Sequence, residues 1–382
     1  MSLTGVNLLL LMGSMVPLPA PKVVSSLESL EVSNSDEGRS GFQIILKTNR
    51  KGLLARLDYP LLKSSQVKLS NRVVIVVTFK LPIPRVLMDG IITNIQLSPG
   101  GKEDGDRIVI TGEDVSVMMD MEEKIKEHPG QPELVIANKI IASYAKYGLI
   151  PTVIPPPVAD IPLPIERIPV QHGTDLEYLN EMAQRYGYVF YIKSGPMPGM
   201  NTAYWGPPKR IGMPQSALSV NMGINSNVES INFQNDALAP ALVKGSVQDR
   251  RLNKKLPLKT FASKRLPPLA REPLLFKSFS KIRKEIPKDI DGLSYAEAFA
   301  RAQGQTDKSV DNVVVATGEI NSLKYGKVLE ARGIVGVRGV GDNHDGMYYV
   351  KEVRHVISKG NYNQHFRLTR EGSGTITPVV RT

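Results

Sequence analysis

The clearest alternation of apolar and polar positions lies in residues 172–192, HGTDLEYLNEMAQRYGYVFYI. Thr174 and Glu177, three residues apart, have the spacing of a capping box, in which both side chains satisfy backbone N–H groups at a helix start. Gly187 is the residue type that ends a helix in the left-handed conformation. Between these signals, apolar residues recur every three or four positions, at Leu176, Leu179, Ala183 and Tyr186. The pattern predicts a short amphipathic helix, followed by a strand over 188–192 that is covered on both faces.

The region 25–114 has a different pattern, because short apolar and β-branched runs are separated by Gly, Pro, Asn and Ser. This spacing predicts a barrel or sandwich of short strands. The predicted strands are 27–32, 42–47, 72–79, 86–97 and 107–111. In the fourth of them, we expect Ile91, Thr93, Ile95 and Leu97 to share one face, and Ile92, Asn94 and Gln96 the other.

The middle of the chain changes to helical periodicity, which predicts helices over 113–128 and 132–147. Residues 151–164, PTVIPPPVADIPLP, form a stiff extended connector to the helix described first. Strands are predicted again within 217–248 and from Val313, with an Ala-rich helix at 294–303 between them. Near the end, strands over 347–357 and 362–370 flank a Ser-Lys-Gly-Asn turn and predict a hairpin with one wet face.

Two segments resemble hub proteins of contractile tails: the late control D proteins of phages, the hub portion of type VI secretion spikes, and the hubs of extracellular contractile injection systems. The first segment is TDLEYLNEMAQRYGYVFYI, and the second is the closing hairpin. The matching positions of the first are Asp175, Leu176, Tyr178, Leu179, Ala183, Tyr186 and Gly187. Those of the second are Gly346, Tyr348, Val350, His355, Tyr362, Phe366, Leu368 and Arg370.

The resemblance implies an α+β, mainly β fold with two β-barrel-like hub domains, an inserted helical or mixed domain and a basic insertion. The expected division is an N-terminal extended arm (1–22), a first β-barrel domain (23–115), a helical or mixed α+β domain (116–215), a discontinuous second β-barrel domain (216–248 plus 311–372), a basic insertion (249–310) and a C-terminal tail (373–382).

The function implied by the resemblance is structural: a baseplate hub whose homotrimeric ring adapts a hexameric inner tube to a separate spike protein. Its expected partners are the spike, the inner tube protein and other baseplate proteins. It would be assembled in the bacterial cytoplasm as a component of a phage tail or a tail-like particle. Two alternatives remain, a basic nucleic-acid-binding protein and a tail-associated cell-wall hydrolase.

Charge matters because it is concentrated in one segment. Residues 250–288 contain thirteen Lys or Arg and two Glu, and the difference of +11 equals the net charge of the whole sequence. Five prolines exclude one long helix there, and interleaved leucines and phenylalanines, Phe279 among them, argue against a disordered tail. We predict a protein interface rather than specific binding of nucleic acid, although a solvated charged surface explains the run equally well. The candidate interface residues are Arg250, Arg251, Lys254, Lys255 and the single tryptophan, Trp205, for which a core position is the other interpretation.

Candidate chemistry is sparse in the 382 residues. The absence of cysteine excludes disulfides and thiolate catalysis. There is no metalloprotease, P-loop or nucleophile-elbow motif, so we expect no enzyme, cofactor or metal site. Residues 342–346, DNHDG, predict a turn between strands rather than a calcium loop, because Val353 stands where such a loop needs Glu. No run is long and apolar enough for a membrane helix, and the short apolar start lacks the preceding charges of a secretory signal.

Overall fold

The computed structural model describes residues 2–3, 5–14, 16–48, 59–79, 84–100, 105–158, 161–277 and 282–377. Parts of the predicted arm and tail, and Phe279, lie outside these residues. The N-terminal elements are β1 (Ser2–Leu3), β2 (Val6–Gly13), β3 (Leu18–Pro19), α1 (Pro21–Ser25), β4 (Leu27–Ser35), β5 (Gly41–Thr48), β6 (Arg72–Phe79), β7 (Pro84–Ser98) and β8 (Asp106–Asp114).

The first β region confirms the five strands predicted between residues 25 and 114, which are β4 to β8. Their order in the sheet is β1-β2-β6-β7-β8-β5-β4. Strand β2, from the segment predicted as an extended arm, pairs along its whole length with β6. It sends alternate side chains into the core: Val6, Leu8, Leu10 and Met12. Every second residue of this segment is apolar and faces the core, so the segment forms a strand of the sheet.

The predicted faces of β7 are wrong at one point. Ile92 pairs with Gly112 and Asn94 with Thr111, so Thr93 is an extra residue at a bulge. A bulge shifts the alternation by one position. Ile92 consequently lies in the core, half-buried Ile95 and Leu97 pack against the same core, and Thr93 is exposed.

The central region contains β9 (Glu123–Glu127), α2 (Glu133–Ser143), β10 (Leu149–Val153), β11 (Val170–Thr174), α3 (Asp175–Arg185), β12 (Val189–Ser194) and β13 (Asn201–Gly206). The helix predicted over 113–128 is wrong. A 3-10 turn over Val115–Met119 is followed by strand β9, which pairs antiparallel with β11. That pairing partner lies more than forty residues away in sequence, and tertiary pairing of this kind overrides local helical periodicity.

Helix α3 confirms the prediction for residues 174–187. The Thr174 hydroxyl accepts a hydrogen bond from Glu177 N at 3.2 Å, and the Glu177 carboxylate accepts one from Thr174 N at 2.9 Å, which completes the capping box. Gly187 has a φ of +64°. All four residues of the predicted apolar stripe are buried, and they pack with α2, β12 and β13 in one core. The helix thus forms where local and tertiary signals agree.

The C-terminal region contains β14 (Gln215–Ser219), β15 (Val228–Asn235), β16 (Ala241–Asp249), β17 (Lys254–Lys259), β18 (Glu272–Pro273), α4 (Leu274–Lys277), β19 (Arg283–Glu285), α5 (Tyr295–Val310), β20 (Val314–Asn321), α6 (Ser322–Tyr325), β21 (Ile334–Arg338), β22 (Gly346–Ser358), β23 (Asn361–Arg370) and β24 (Gly372–Ser373). The predicted closing hairpin is confirmed as β22 and β23. The Ala-rich helix is confirmed as α5, which is longer than predicted.

The two β regions are joined edge to edge. Strand β4 pairs antiparallel with β22 from Ser29↔Ser358 to Ser35↔Glu352. Within the described residues, one sheet therefore continues from β4 through β22 and β23 to β20 and β15. The α+β, mainly β class is confirmed, and the two β regions are held side by side by backbone hydrogen bonds as well as by side chains.

The basic segment forms a small layer of its own. Strands β17, β16 and β19 make a three-stranded sheet, and Leu258, Val247 and Val243 pack from it against α5. This small core explains how a segment rich in Lys, Arg and Pro holds a defined structure: on β17, Leu258 is buried and Leu256 is half-buried, whereas Lys255 and Lys259 are exposed.

Candidate interaction surfaces

The four predicted basic interface residues do not form one group. Arg250 pairs with Glu166 at 3.0 Å, and its side chain is 13% exposed. It ties the basic segment to the connector before β11. Lys254 and Lys255 lie on β17 and are exposed, as is Arg251. Arg250 is therefore an internal tether, and the other three remain at the surface.

Trp205 lies on β13 and is completely buried. Its Nε1–H donates to the Leu179 carbonyl oxygen at 3.0 Å, and the Tyr188 ring approaches it edge-on at 5.2 Å between centroids. A buried indole normally finds a partner for its N–H group. Of the two interpretations of Trp205, the core position agrees with this burial.

A buried ion pair connects the first β region to the central region, and sequence reasoning missed it. The Arg72 guanidinium binds both carboxylate oxygens of Asp89 at 2.7 Å and donates to the Tyr147 carbonyl oxygen at 2.9 Å. Asn201 Nδ2 also donates to Asp89 at 3.0 Å. The carboxylate of Asp89 is fully buried. This bidentate arrangement fixes the orientation of β6 and β7 against the start of β13.

Arg332 joins three parts of the chain. Its guanidinium donates to the carbonyl oxygens of Ser35 and Ile192 and to the Ser40 hydroxyl at 2.5–2.6 Å, and it lies 4.2 Å from the Tyr191 ring centroid. Burial lowers its pKa. A single arginine thus holds the β4–β5 turn, β12 and the start of β21 together. No local sequence pattern indicates this role, because its partners lie far apart along the chain.

Asp36 is a buried acid beside this junction, at the end of β4. Burial raises the pKa of Asp36 to about 6, although the charge of Lys351 opposes the shift. Lys351 donates to Glu37 at 2.8 Å and to Asn312 at 3.0 Å. Because Asp36 Oδ1 has no hydrogen-bond partner in the described part of the protein, charging this carboxyl group costs free energy.

A second ionic cluster fixes the central region to the second β region. Arg210 pairs with Glu371 at 2.7 Å and with Asp311 at 3.0 Å, and Arg265 pairs with Asp311 at 2.7 Å. Arg265 also donates to the Gly187 carbonyl oxygen at 2.7 Å. The end of α3, the basic segment and the end of α5 therefore meet at these charges. The arrangement suits a rigid scaffold, since breaking any pair would leave a buried charge.

The described residues contain no group of three or more His, Cys, Asp and Glu side chains that could hold a metal ion. His355 and His365 lie on facing strands but pair with Gln364 and Arg354, so they do not face each other. His355 is buried, with Nδ1 3.0 Å from the Tyr362 hydroxyl, and burial lowers its pKa to about 4. Residues 342–346 form the predicted turn, in which Asp345 accepts from Val340 N at 2.9 Å.

None of the helices in the described ranges is both long enough and apolar enough to cross a membrane.

Comparison with known proteins gives structural similarity only. No protein-family model and no curated protein matches the sequence. A tail protein from Neisseria meningitidis MC58 superimposes with a TM-score of 0.64 at 13% identity, over 97% of this chain and 98% of the other. The 43 kDa tail protein of prophage MuSo2 from Shewanella oneidensis gives a TM-score of 0.61 at 12% identity, over 95% and 98% of the two chains.

A third similar structure is an Escherichia coli component of the type VI secretion system, described as similar to the T4 bacteriophage tail proteins gp27 and gp5. Its TM-score is 0.56 at 9% identity, over 90% of this chain and 73% of the other. This chain therefore shares its fold with phage tail proteins and with a type VI secretion component, in agreement with the resemblance of the two sequence segments.

Proposed function

We propose that this chain is a structural, non-enzymatic hub subunit in the baseplate of a contractile phage tail or a tail-like injection system. The observation that carries the proposal is the fold shared with two tail proteins over at least 95% of this chain. Pairing of β4 with β22 supports it, because two β regions joined side by side present a doubled surface to a partner. The buried ionic clusters tie each of the two β regions to the central region, which suits an adaptor under mechanical load.

The proposed assembly is a homotrimeric ring. Three copies of a chain with two β regions present six β modules, which matches a hexameric inner tube, and the opposite face would then seat a separate trimeric spike. The domain division proposed from the sequence, with β regions at 23–115 and at 216–248 plus 311–372, supplies these modules. The basic insertion, 249–310, lies outside them and is available for contacts between subunits or with other baseplate proteins.

Sedimentation of the purified full chain, alone and with its cognate tube and spike proteins, tests the proposal. The expected species has three times the subunit mass of 42.0 kDa and binds both partners. A chain that stays monomeric with both partners present would refute the hub function. Turnover of peptidoglycan by the purified chain would instead support a hydrolase.

A further inference from the structure

Two exposed strands carry charged side chains at the same spacing but of opposite sign. On β17, Leu256 and Leu258 pack inward against the small core of the basic segment. Lys255, Pro257 and Lys259 alternate with them and are exposed. Because successive side chains in a strand point to opposite faces, these three share the outer face, and we call them the basic strip.

The opposite strip lies on β9. There Lys124 binds Asp175 at 2.7 Å and so faces its own subunit. Glu123, Ile125 and Glu127 alternate with it and are exposed, and Ile125 keeps 81% of its accessible surface. We call these three the acidic strip. An exposed isoleucine between two carboxylates gives this strip an apolar centre that water solvates poorly.

The charges of both strips are without ionic partners in the part of the chain that the structure describes. No ion pair joins Lys255, Lys259, Glu123 or Glu127 to an opposite charge there, although Lys259 Nζ lies 4.7 Å from the centre of the exposed Phe261 ring. Across the sheet, Lys259 stands directly opposite Lys244, which adds positive charge to the same face. Like charges placed opposite each other are unfavourable unless a partner neutralises them.

We infer that the basic strip of one subunit binds the acidic strip of a second copy of this chain. In each strip the two charges are four residues apart, about 13 Å in a strand, so both Lys–Glu pairs form together while Pro257 covers Ile125. This inference rests on the proposed trimer and names the contact that would build it. The two strips are different surfaces, so the contact is head-to-tail, and a head-to-tail contact that closes on itself gives a ring.

The contact is between faces rather than between strand edges. β17 is the edge strand of its three-stranded sheet, and Pro257 has no N–H group to donate to an added strand. The side chains therefore carry the binding. The Lys–Glu pairs between subunits stay partly solvated, so dissolved salt screens their attraction. Raising the ionic strength should therefore weaken the contact.

Charge exchange tests the inference in the full chain. The variants are K255E/K259E, E123K/E127K and the combination of all four. K327E/K359E is the control for K255E/K259E, because it makes the same change in net charge at exposed lysines elsewhere. Sedimentation velocity over a concentration series gives the concentration of half-assembly for each. Circular dichroism and Trp205 fluorescence verify that each variant is folded.

Each double exchange should raise the concentration of half-assembly about tenfold or more, because attractive pairs become repulsive. The fourfold exchange should restore assembly, since Glu on β17 then faces Lys on β9. The control should assemble like the parent. Restoration is the decisive result, because damage to the fold would accumulate rather than cancel.

The inference is overturned if the parent forms trimers and both double variants do so equally well, an outcome that leaves the proposed hub function intact. It is also overturned if K255E/K259E abolishes only retention on a DNA duplex while E123K/E127K changes nothing, because the basic strip would then be a nucleic-acid surface. A parent that never forms trimers, even with tube and spike proteins, refutes the proposed function itself.

Discussion

Leu179→Ala is expected to destabilise the central region strongly. Leu179 is completely buried in the middle of α3, where it packs in the core shared with α2, β12 and β13. The truncation removes about three carbon groups, and at about 0.8 kcal/mol for each this gives about 2.4 kcal/mol. A cavity in a core enclosed by other elements adds to this value, so the expected loss is about 2 to 5 kcal/mol of unfolding free energy.

The matched control is Glu181→Ala on the same helix. The Glu181 side chain is 67% exposed, and its carboxylate lies 3.9 Å from the Arg185 guanidinium. A solvated pair of this kind contributes little, so the expected change is within about 0.5 kcal/mol. Both variants keep the backbone carbonyl of residue 179, to which Trp205 donates.

Urea unfolding followed by the fluorescence of Trp205 measures the difference. Trp205 is the single tryptophan and lies in the same core as Leu179, so its emission reports the unfolding of that core. The free energy follows from the transition midpoint and slope. If Leu179→Ala and Glu181→Ala shift the midpoint equally little, the assignment of the buried face of α3 is wrong.

Three further predictions concern buried ionisable groups, and each is measured by urea unfolding. The pKa of Asp36 is raised to about 6 from 3.8, so the folded protein holds a proton more tightly than the unfolded chain does. The free energy of unfolding therefore falls as the pH rises from about 4 to 6. Asp36→Asn should be about 1 to 3 kcal/mol more stable than the parent above pH 6 and similar to it below pH 4. The pKa of His355 is lowered to about 4 from 6.5, so the free energy of unfolding falls as the pH drops from 6.5 to 4. Over that range, His355→Gln should lose about 1 to 3 kcal/mol less unfolding free energy than the parent does. A pH profile identical to that of the parent would contradict the burial argument. Arg72→Met leaves the buried Asp89 carboxylate without its cation and should cost about 3 to 5 kcal/mol of unfolding free energy. Adding Asp89→Asn to this variant should recover much of the loss. Equal instability of the single and double variants would argue against the ion pair.

Sequence patterns succeeded where one segment carries its own signals. The capping box at Thr174, the apolar stripe of α3 and the left-handed Gly187 act within about a dozen residues, so the helix is predictable from the chain alone. The strands of the first β region and the closing hairpin were likewise predictable, because apolar residues at every second position indicate a strand with one buried face. The same local patterns carried the resemblance to hub proteins, and the structural similarity confirmed the fold.

Sequence reasoning failed where distant segments compete for the same backbone. Residues 123–127 have helical periodicity, but they form β9 because β11 offers a pairing partner that no local pattern reveals. Thr93 breaks the alternation of β7 because the strand must match β8 across a bulge. The bulge depends on how β7 meets its partner strand, and the pattern of β7 alone does not show where the pairing takes an extra residue.

The candidate surfaces divide in the same way. The sequence shows that the excess of positive charge lies in residues 250–288, but it does not distinguish Arg250 from Lys255 as an interface residue. Only the tertiary structure separates them: Arg250 is neutralised by Glu166, and Lys255 stays in water on the outer face of β17. The sequence by itself determined which residues carry charge and which carry the core, because these are properties of each side chain. Which charges meet a partner was decided by the fold, because a charge is neutralised only by a group within a few ångströms in space, whatever its distance along the chain.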